Sequence, residues 1–246
     1  MHNKSHFRHT SDVAAPDSAG DSPRPWPRSG HGRVGRHTPL VNTDRLETFA
    51  DGVFAIAATL LILNVDAQIR QDAPDLGARL LHIWPSYIAY AASFITIGIM
   101  WINHHTIMSQ VDRADRRFLV VNIGLLMCIA FFPFTTRLVA EHVRGAGAEA
   151  AALAYGCTAV ATAIMFNVTW FYAALGNRLL RRDADPAVVS GITRSYIPGP
   201  WIYLGATLVA FASPVTSIVL FGVIAIFYVV ESSIFGGATV EPLEPA

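Results

Sequence analysis

Past residue 42 the chain alternates long apolar runs with short polar linkers. A helix that crosses a bilayer needs roughly 20 mostly apolar residues. Six runs meet that need, at about 46–66, 83–108, 117–139, 149–176, 197–213 and 215–235. Pro214 marks a tight turn between the last two, where one kinked segment is the alternative reading. The pattern predicts an all-α, polytopic membrane protein with six transmembrane helices. Residues 42–236 form the membrane domain, with a tail at 1–41 and a short one at 237–246.

Composition agrees with this picture. Of 246 residues, 52% are hydrophobic and only 15% charged, and the net charge is zero. A soluble domain carries about 25% charge. The balance points to membrane lipid as partner and gives no sign of nucleic acid. Residues 1–40 are rich in Pro, Gly, Ser, Arg and His and have no apolar core of a signal peptide. They read as a disordered tail. Its histidines, His2, His6, His9, His31 and His37, are irregularly spaced and predict no metal site. Cys128 and Cys157 lie in apolar runs and read as small buried hydrophobes rather than a disulfide pair.

Charge placement sets the orientation. With six spans both termini share one side. That side carries 14 of the 18 Lys and Arg residues. They lie in the N-terminal segment and entry, in the second-to-third loop (Arg113, Arg116 and Arg117) and in the 177–196 linker. The opposite side holds Arg70, Arg79, Arg137 and Arg144. The positive-inside rule places both termini in the cytoplasm of a cell-membrane protein.

The first run, RLETFADGVFAIAATLLIL at 45–63, holds the most chemistry. Asp44 with Glu47 three residues later predicts a capped helix start. At 100° per residue, Ile56, Leu60 and Leu63 fall on one stripe, which Phe49 and Gly52 extend. Asp51 projects about 140° from Ile56, toward a neighbouring helix. Arg45 projects back onto the stripe. An acid this close to bilayer depth is a functional candidate. The stripe itself has two readings: packing against helices or lipid, or a hydrophobic constriction formed by symmetry copies. One chain cannot surround a pore, so the second reading needs several subunits.

The pattern Arg45-x-x-x-Phe49-Ala50-Asp51-Gly52, followed by VFAIAATLLIL, resembles the signature of the transmembrane protein 175 family. WINHHTIM, from Trp101 to Met108, resembles that family's W-x-N-H-H element. The family includes the lysosomal potassium channel of animals and bacterial relatives, and the resemblance covers about 42–235. It implies a homotetramer with the first helix lining a central pore and potassium as the permeant ion. Ile56 would form the narrowest ring, with Leu60 and Leu63 as further rings and the Thr59 hydroxyl beside the path. Arg45, Phe49, Asp51, Gly52, Trp101, Asn103, His104 and His105 would form the signature network that orients the first helix. Ala50 stands where the family usually has Ser, which removes one hydroxyl hydrogen bond, about 1 kcal/mol.

Other function classes fit less well. The chain has no TVGYG-type filter loop, no spaced arginines of a voltage sensor and no Walker motif or catalytic layout. A passive potassium channel without cofactor or metal is the leading reading, and an enzyme is not expected. The alternative is a proton-coupled transporter using Asp51 with His104 and His105 as a relay. A membrane enzyme with histidine ligands is a third reading. Trp84, Trp101, Trp170 and Trp201 lie near span ends and predict an aromatic belt.

Overall fold

The computed structural model describes residues 43–66, 75–143 and 145–235, all within the unit Thr38–Ala246. The tails predicted at 1–41 and 237–246 lie outside the described residues, as do the tail histidines. Every regular element among the described residues is helical. In chain order they are α1 (Thr43–Asp66), α2 (Leu76–His82), α3 (Trp84–Gln110), α4 (Arg116–His142), α5 (Ala148–Ala174), α6 (Pro186–Tyr196), α7 (Gly199–Leu208) and α8 (Pro214–Phe235). Short 3₁₀ turns follow α5 and α7, at Leu175–Asn177 and Val209–Phe211.

Among the described residues, four segments are long and apolar enough to cross a membrane: Thr43–Val65, Trp84–Gln110, Arg116–His142 and Ala148–Asn177. They coincide with the first four predicted runs. The run expected at 197–213 differs. Its α-helix, α7, is only 10 residues long, about 15 Å at 1.5 Å per residue, or half the hydrocarbon thickness. The Pro198-Gly199-Pro200 sequence, which removes two backbone donors, sets its start, and the 3₁₀ turn Val209–Phe211 ends it. Ile197 and Pro198 keep right-handed helical dihedrals, so α6 leads into α7 as a broken helix. Helix α8 begins at Pro214, which separates it from α7 as expected.

Two helices went unpredicted because their segments are too short to cross a membrane. Helix α2 lies in the linker before α3, and α6 lies in the arginine-rich linker after α5. The start of α6 carried a readable signal. Asp185 caps it, accepting the Ala187 N–H at 2.8 Å, with Pro186 at the first helical position.

The core is built where α4 packs against α5 and α1, and α1 against α3. Phe118, Leu125, Ile129 and Phe132 form the buried face of α4 at helical spacing. Pro133 lies inside the continuous helix α4, and Asn64 on α1 donates to its carbonyl at 2.8 Å, tying α1 to α4. Gly156 lets α5 approach α7, since a Cβ there would meet the Thr207 side chain.

The two arginine-rich linkers join each other. Val111 and Leu180 form an isolated antiparallel bridge. The Asp112 N–H donates to the Leu179 carbonyl at 3.0 Å, and the Arg181 N–H to the Gln110 carbonyl at 2.9 Å. Beside the bridge, Asp115 caps α4 by accepting the Phe118 N–H at 2.8 Å. Its carboxylate also accepts from the Tyr172 hydroxyl at 2.8 Å and from Arg178 Nη2 at 2.8 Å. Burial alone would raise the pKa of Asp115. Those donors together outweigh it and hold the carboxyl below its ordinary value.

Two expectations are corrected here. Trp170 is fully buried, and its indole donates to Thr193 Oγ1 at 2.9 Å, so it pins α6 to α5 rather than joining a belt. Cys157 is exposed on α5 and Cys128 half-buried. A thiol is apolar enough to face lipid, so neither needs the interior.

Candidate functional site

Helix α1 has two unlike faces. Leu46, Ala50, Phe54, Ala57, Leu61 and Val65 are buried against the neighbouring helices. Their spacing of three and four residues makes one continuous core stripe. The opposite stripe turns away from the protomer's own core. Ile56 is 60% exposed, Leu60 43% and Leu63 57%, and Phe49 and Gly52 continue the same surface. A Cβ built on Gly52 meets nothing within 4 Å, so no contact inside the protomer requires glycine there. From Ile56 to Leu63 the stripe runs about 10 Å along the axis, two helical turns.

Thr59 sits on this exposed side. Its hydroxyl donates back to the Ala55 carbonyl at 2.9 Å and the Ile56 carbonyl at 3.0 Å. With its proton committed to the backbone, the oxygen keeps its lone pairs as acceptors.

The charged end of α1 is fixed by α3. Trp101 Nε1 donates to Asp51 Oδ1 at 2.8 Å. The Trp101 ring stacks on His105, with centroids 6.1 Å apart. One turn deeper, Phe54 packs on the His104 ring at 5.5 Å between centroids. Buried His104 meets Asn122 of α4, with Nε2 and Oδ1 2.9 Å apart. A carbonyl oxygen only accepts, so His104 Nε2 carries the proton in this arrangement. Asn122 Nδ2 is buried without a partner among the described residues.

The network therefore divides in two. Asp51, Trp101 and His105 form an outer group at the α1–α3 surface. Phe54, His104 and Asn122 form an inner group that reaches α4. No ion pair joins Arg45 to Asp51 among the described residues, and Arg45 is exposed on the first turn of α1. Asn103 takes part through its backbone, whose carbonyl accepts the Tyr196 hydroxyl at 3.1 Å. Ala50 is fully buried, and the core stripe there is wholly apolar. The helix begins at Thr43, so Asp44 lies inside the first turn instead of preceding it.

Asn122 and Asn167 are two of the polar residues absent from the sequence reading. Each is a lone Asn inside an apolar run, which is itself the available signal. Asn167 Nδ2 donates to the Tyr196 carbonyl at 2.9 Å. Pro200, four residues on, has no N–H to offer that carbonyl. The α5 amide thus supplies the bond that the α6–α7 break removes.

The family model of the endosomal/lysosomal potassium channel TMEM175 matches residues 45–133, which span α1, α3 and most of α4. A potassium channel of Chamaesiphon minutus is 42% identical over 193 residues, covering 78% of this chain and 95% of the relative. A potassium channel of Streptomyces collinus is 36% identical over 190 residues, covering 75% of this chain and 90% of the relative. The crystal structure of a lysosomal potassium-selective channel TMEM175 homolog from Chamaesiphon minutus superposes with a TM-score of 0.69 at 40% identity. That match covers 77% of this chain and 97% of the other.

Proposed function

Since the chain belongs to the TMEM175 channel family, we propose that it is a potassium-selective channel through which ions leak passively down their gradient. The observation that carries this reading is the apolar stripe of α1. Ile56, Leu60 and Leu63 turn outward while the opposite face of the same helix packs into the core. A multi-pass membrane protein of this shape has two uses for such a stripe, lipid contact or a shared axis. Relatives named as potassium channels favour the axis.

In the proposed assembly four copies surround the pore, each with six crossing segments. The α6–α7 pair and α8 complete the fifth and sixth. Ile56 forms the narrowest ring, and Leu60 and Leu63 form further rings outward. Apolar rings admit only ions that shed part of their hydration. Potassium loses water more readily than sodium, and Thr59 offers oxygen lone pairs close by. Arg45 lines the cytoplasmic mouth. Phe49 and Gly52 continue the pore surface toward it, and Gly52 leaves room where the copies converge. Asp51, Trp101, Asn103, His104 and His105 set the rotation of α1, so that the correct edge faces the axis. Both termini lie in the cytoplasm, on the arginine-rich side.

The transporter reading is not favoured. A relay needs partners that accept and release protons. Asp51 instead meets an indole, which only donates, and His104 meets a carboxamide. The test is purified protein in liposomes under a potassium gradient. A channel gives downhill potassium flux with no co-ion and no proton gradient. Flux that stops without a co-ion contradicts the proposal.

A further inference from the structure

A groove of about 990 Å³ runs between α5 and α7. Ile164, Val168, Phe171 and Leu175 line one wall, and Trp201 and Leu204 the other. Leu175 is 79% exposed and Trp201 71% exposed. The amide donors of Asn167, the one carboxamide in the lining, are already committed to two carbonyls. The lining extends from Val160 to Leu175, about 22 Å along α5. That exceeds the roughly 15 Å depth of one leaflet. A single acyl chain entering from the arginine-rich face fits inside it.

The mouth of the groove has a cation. Tyr172 lines the groove, and the Arg178 guanidinium lies over its ring, 5.0 Å from the centroid. Arg178 uses only Nη2 in its bonds to Asp115 and Tyr172. Nε and Nη1 remain for another acceptor, and the side chain is 53% exposed. The two joined linkers, the first turn of α4 and α6 together hold seven arginines against four aspartates. Helix α1 packs on α3 and α4, whereas the groove belongs to α5 and α7. On the pore reading above, the groove therefore faces the periphery, where lipid is.

We infer that this groove seats one acyl chain of an anionic membrane phospholipid, with the headgroup phosphate on Arg178. The apolar walls hold the chain, and the arginine-rich rim selects the negative headgroup.

The test uses the purified full chain with phosphatidylglycerol or phosphatidylcholine of identical acyl chains, read by lipid retention in native mass spectrometry. Wild type is expected to retain phosphatidylglycerol about fivefold better, the factor one arginine contributes at an anionic surface. Val168→Trp, which fills the groove, is expected to abolish retention of both lipids. Arg178→Gln is expected to erase the preference and keep a basal level of both. If Arg178→Gln fails to fold, Val168→Trp still decides the matter. Equal retention of the two lipids by wild type overturns the inference. So does wild-type retention in Val168→Trp, or a Trp201→Cys variant that crosslinks between protomers, which would place a second copy in the groove. Potassium flux is measured separately in liposomes. A wild type without flux strikes the channel reading, while lipid retention reports on the groove.

Discussion

The indole N–H of Trp101 reaches Asp51 Oδ1 across the α1–α3 contact at 2.8 Å. This bond joins the two motifs that are legible in the sequence. It couples an acid on the outward side of α1 to a neighbouring helix, so it sets how far α1 can rotate. Removing the donor with Trp101→Phe is expected to cost about 1 kcal/mol, since the bond is charge-assisted but partly exposed. The measurement is the melting temperature of the detergent-solubilised assembly. Asp51→Ala is expected to lower the yield of assembled protein more than it changes ion selectivity. A selectivity loss with normal assembly would move Asp51 into the conduction path.

His104 and Asn122 make the deeper link, from α3 to α4. Asn122→Leu leaves the buried imidazole without its partner, at an expected cost of about 1–3 kcal/mol. The double variant His104→Leu with Asn122→Leu is expected to be more stable than the sum of the single losses, by about 0.5 kcal/mol or more. Thermal unfolding of all four proteins gives the coupling. Additive losses would show that the two side chains do not act together.

Asp115 predicts an acid-side dependence. Its carboxyl is held below the ordinary value by the Phe118 N–H, Tyr172 and Arg178, against the opposing effect of burial. A depressed folded-state pKa means that the charged form is favoured in the fold. The stabilisation is complete above the unfolded value and is lost as pH falls through the lower folded one. Wild type is therefore expected to lose melting temperature more steeply than Asp115→Asn as pH falls from about 5 to 3. Parallel curves would show that the ion pair contributes nothing.

Asn167 gives a prediction about the broken helix. Asn167→Leu leaves the Tyr196 carbonyl without the donor that Pro200 cannot supply. The expected loss is about 1–3 kcal/mol. Hydrogen exchange should rise at α6 and the start of α7 and stay unchanged in α1. Equal exchange in both regions would count against Asn167 as the brace of the break.

The first four spans were legible because length and apolarity suffice for a helix whose backbone must satisfy itself in lipid. The stripe of Ile56, Leu60 and Leu63 was legible from helical period, but not which way it faces, because Leu46, Ala50, Phe54, Ala57 and Leu61 form an equally apolar stripe that only packing shows to be the buried one. Helix α6 was hidden by its 11-residue length, too short for a span, and α7 was overestimated because hydropathy registers neither the proline break at its start nor the 3₁₀ turn Val209–Phe211 at its end. Trp170 shows the same limit. Position near a span end predicts a belt, but only packing shows that its ring fills the core beside Thr193. The partners of Asp51 and His104 were out of reach as well. Depth along two antiparallel helices brings their residues level, whereas the choice of Trp101 and Asn122 depends on the rotation of each helix.

The most direct measurement is the potassium-to-sodium permeability ratio of Ile56→Asn, taken from reversal potentials under bi-ionic gradients in reconstituted bilayers. If copies of Ile56 meet around a common axis, a polar ring there admits hydrated sodium, and the ratio falls toward one while current persists. A ratio and current unchanged from wild type would place Ile56 away from the ion path and contradict the pore assignment of α1.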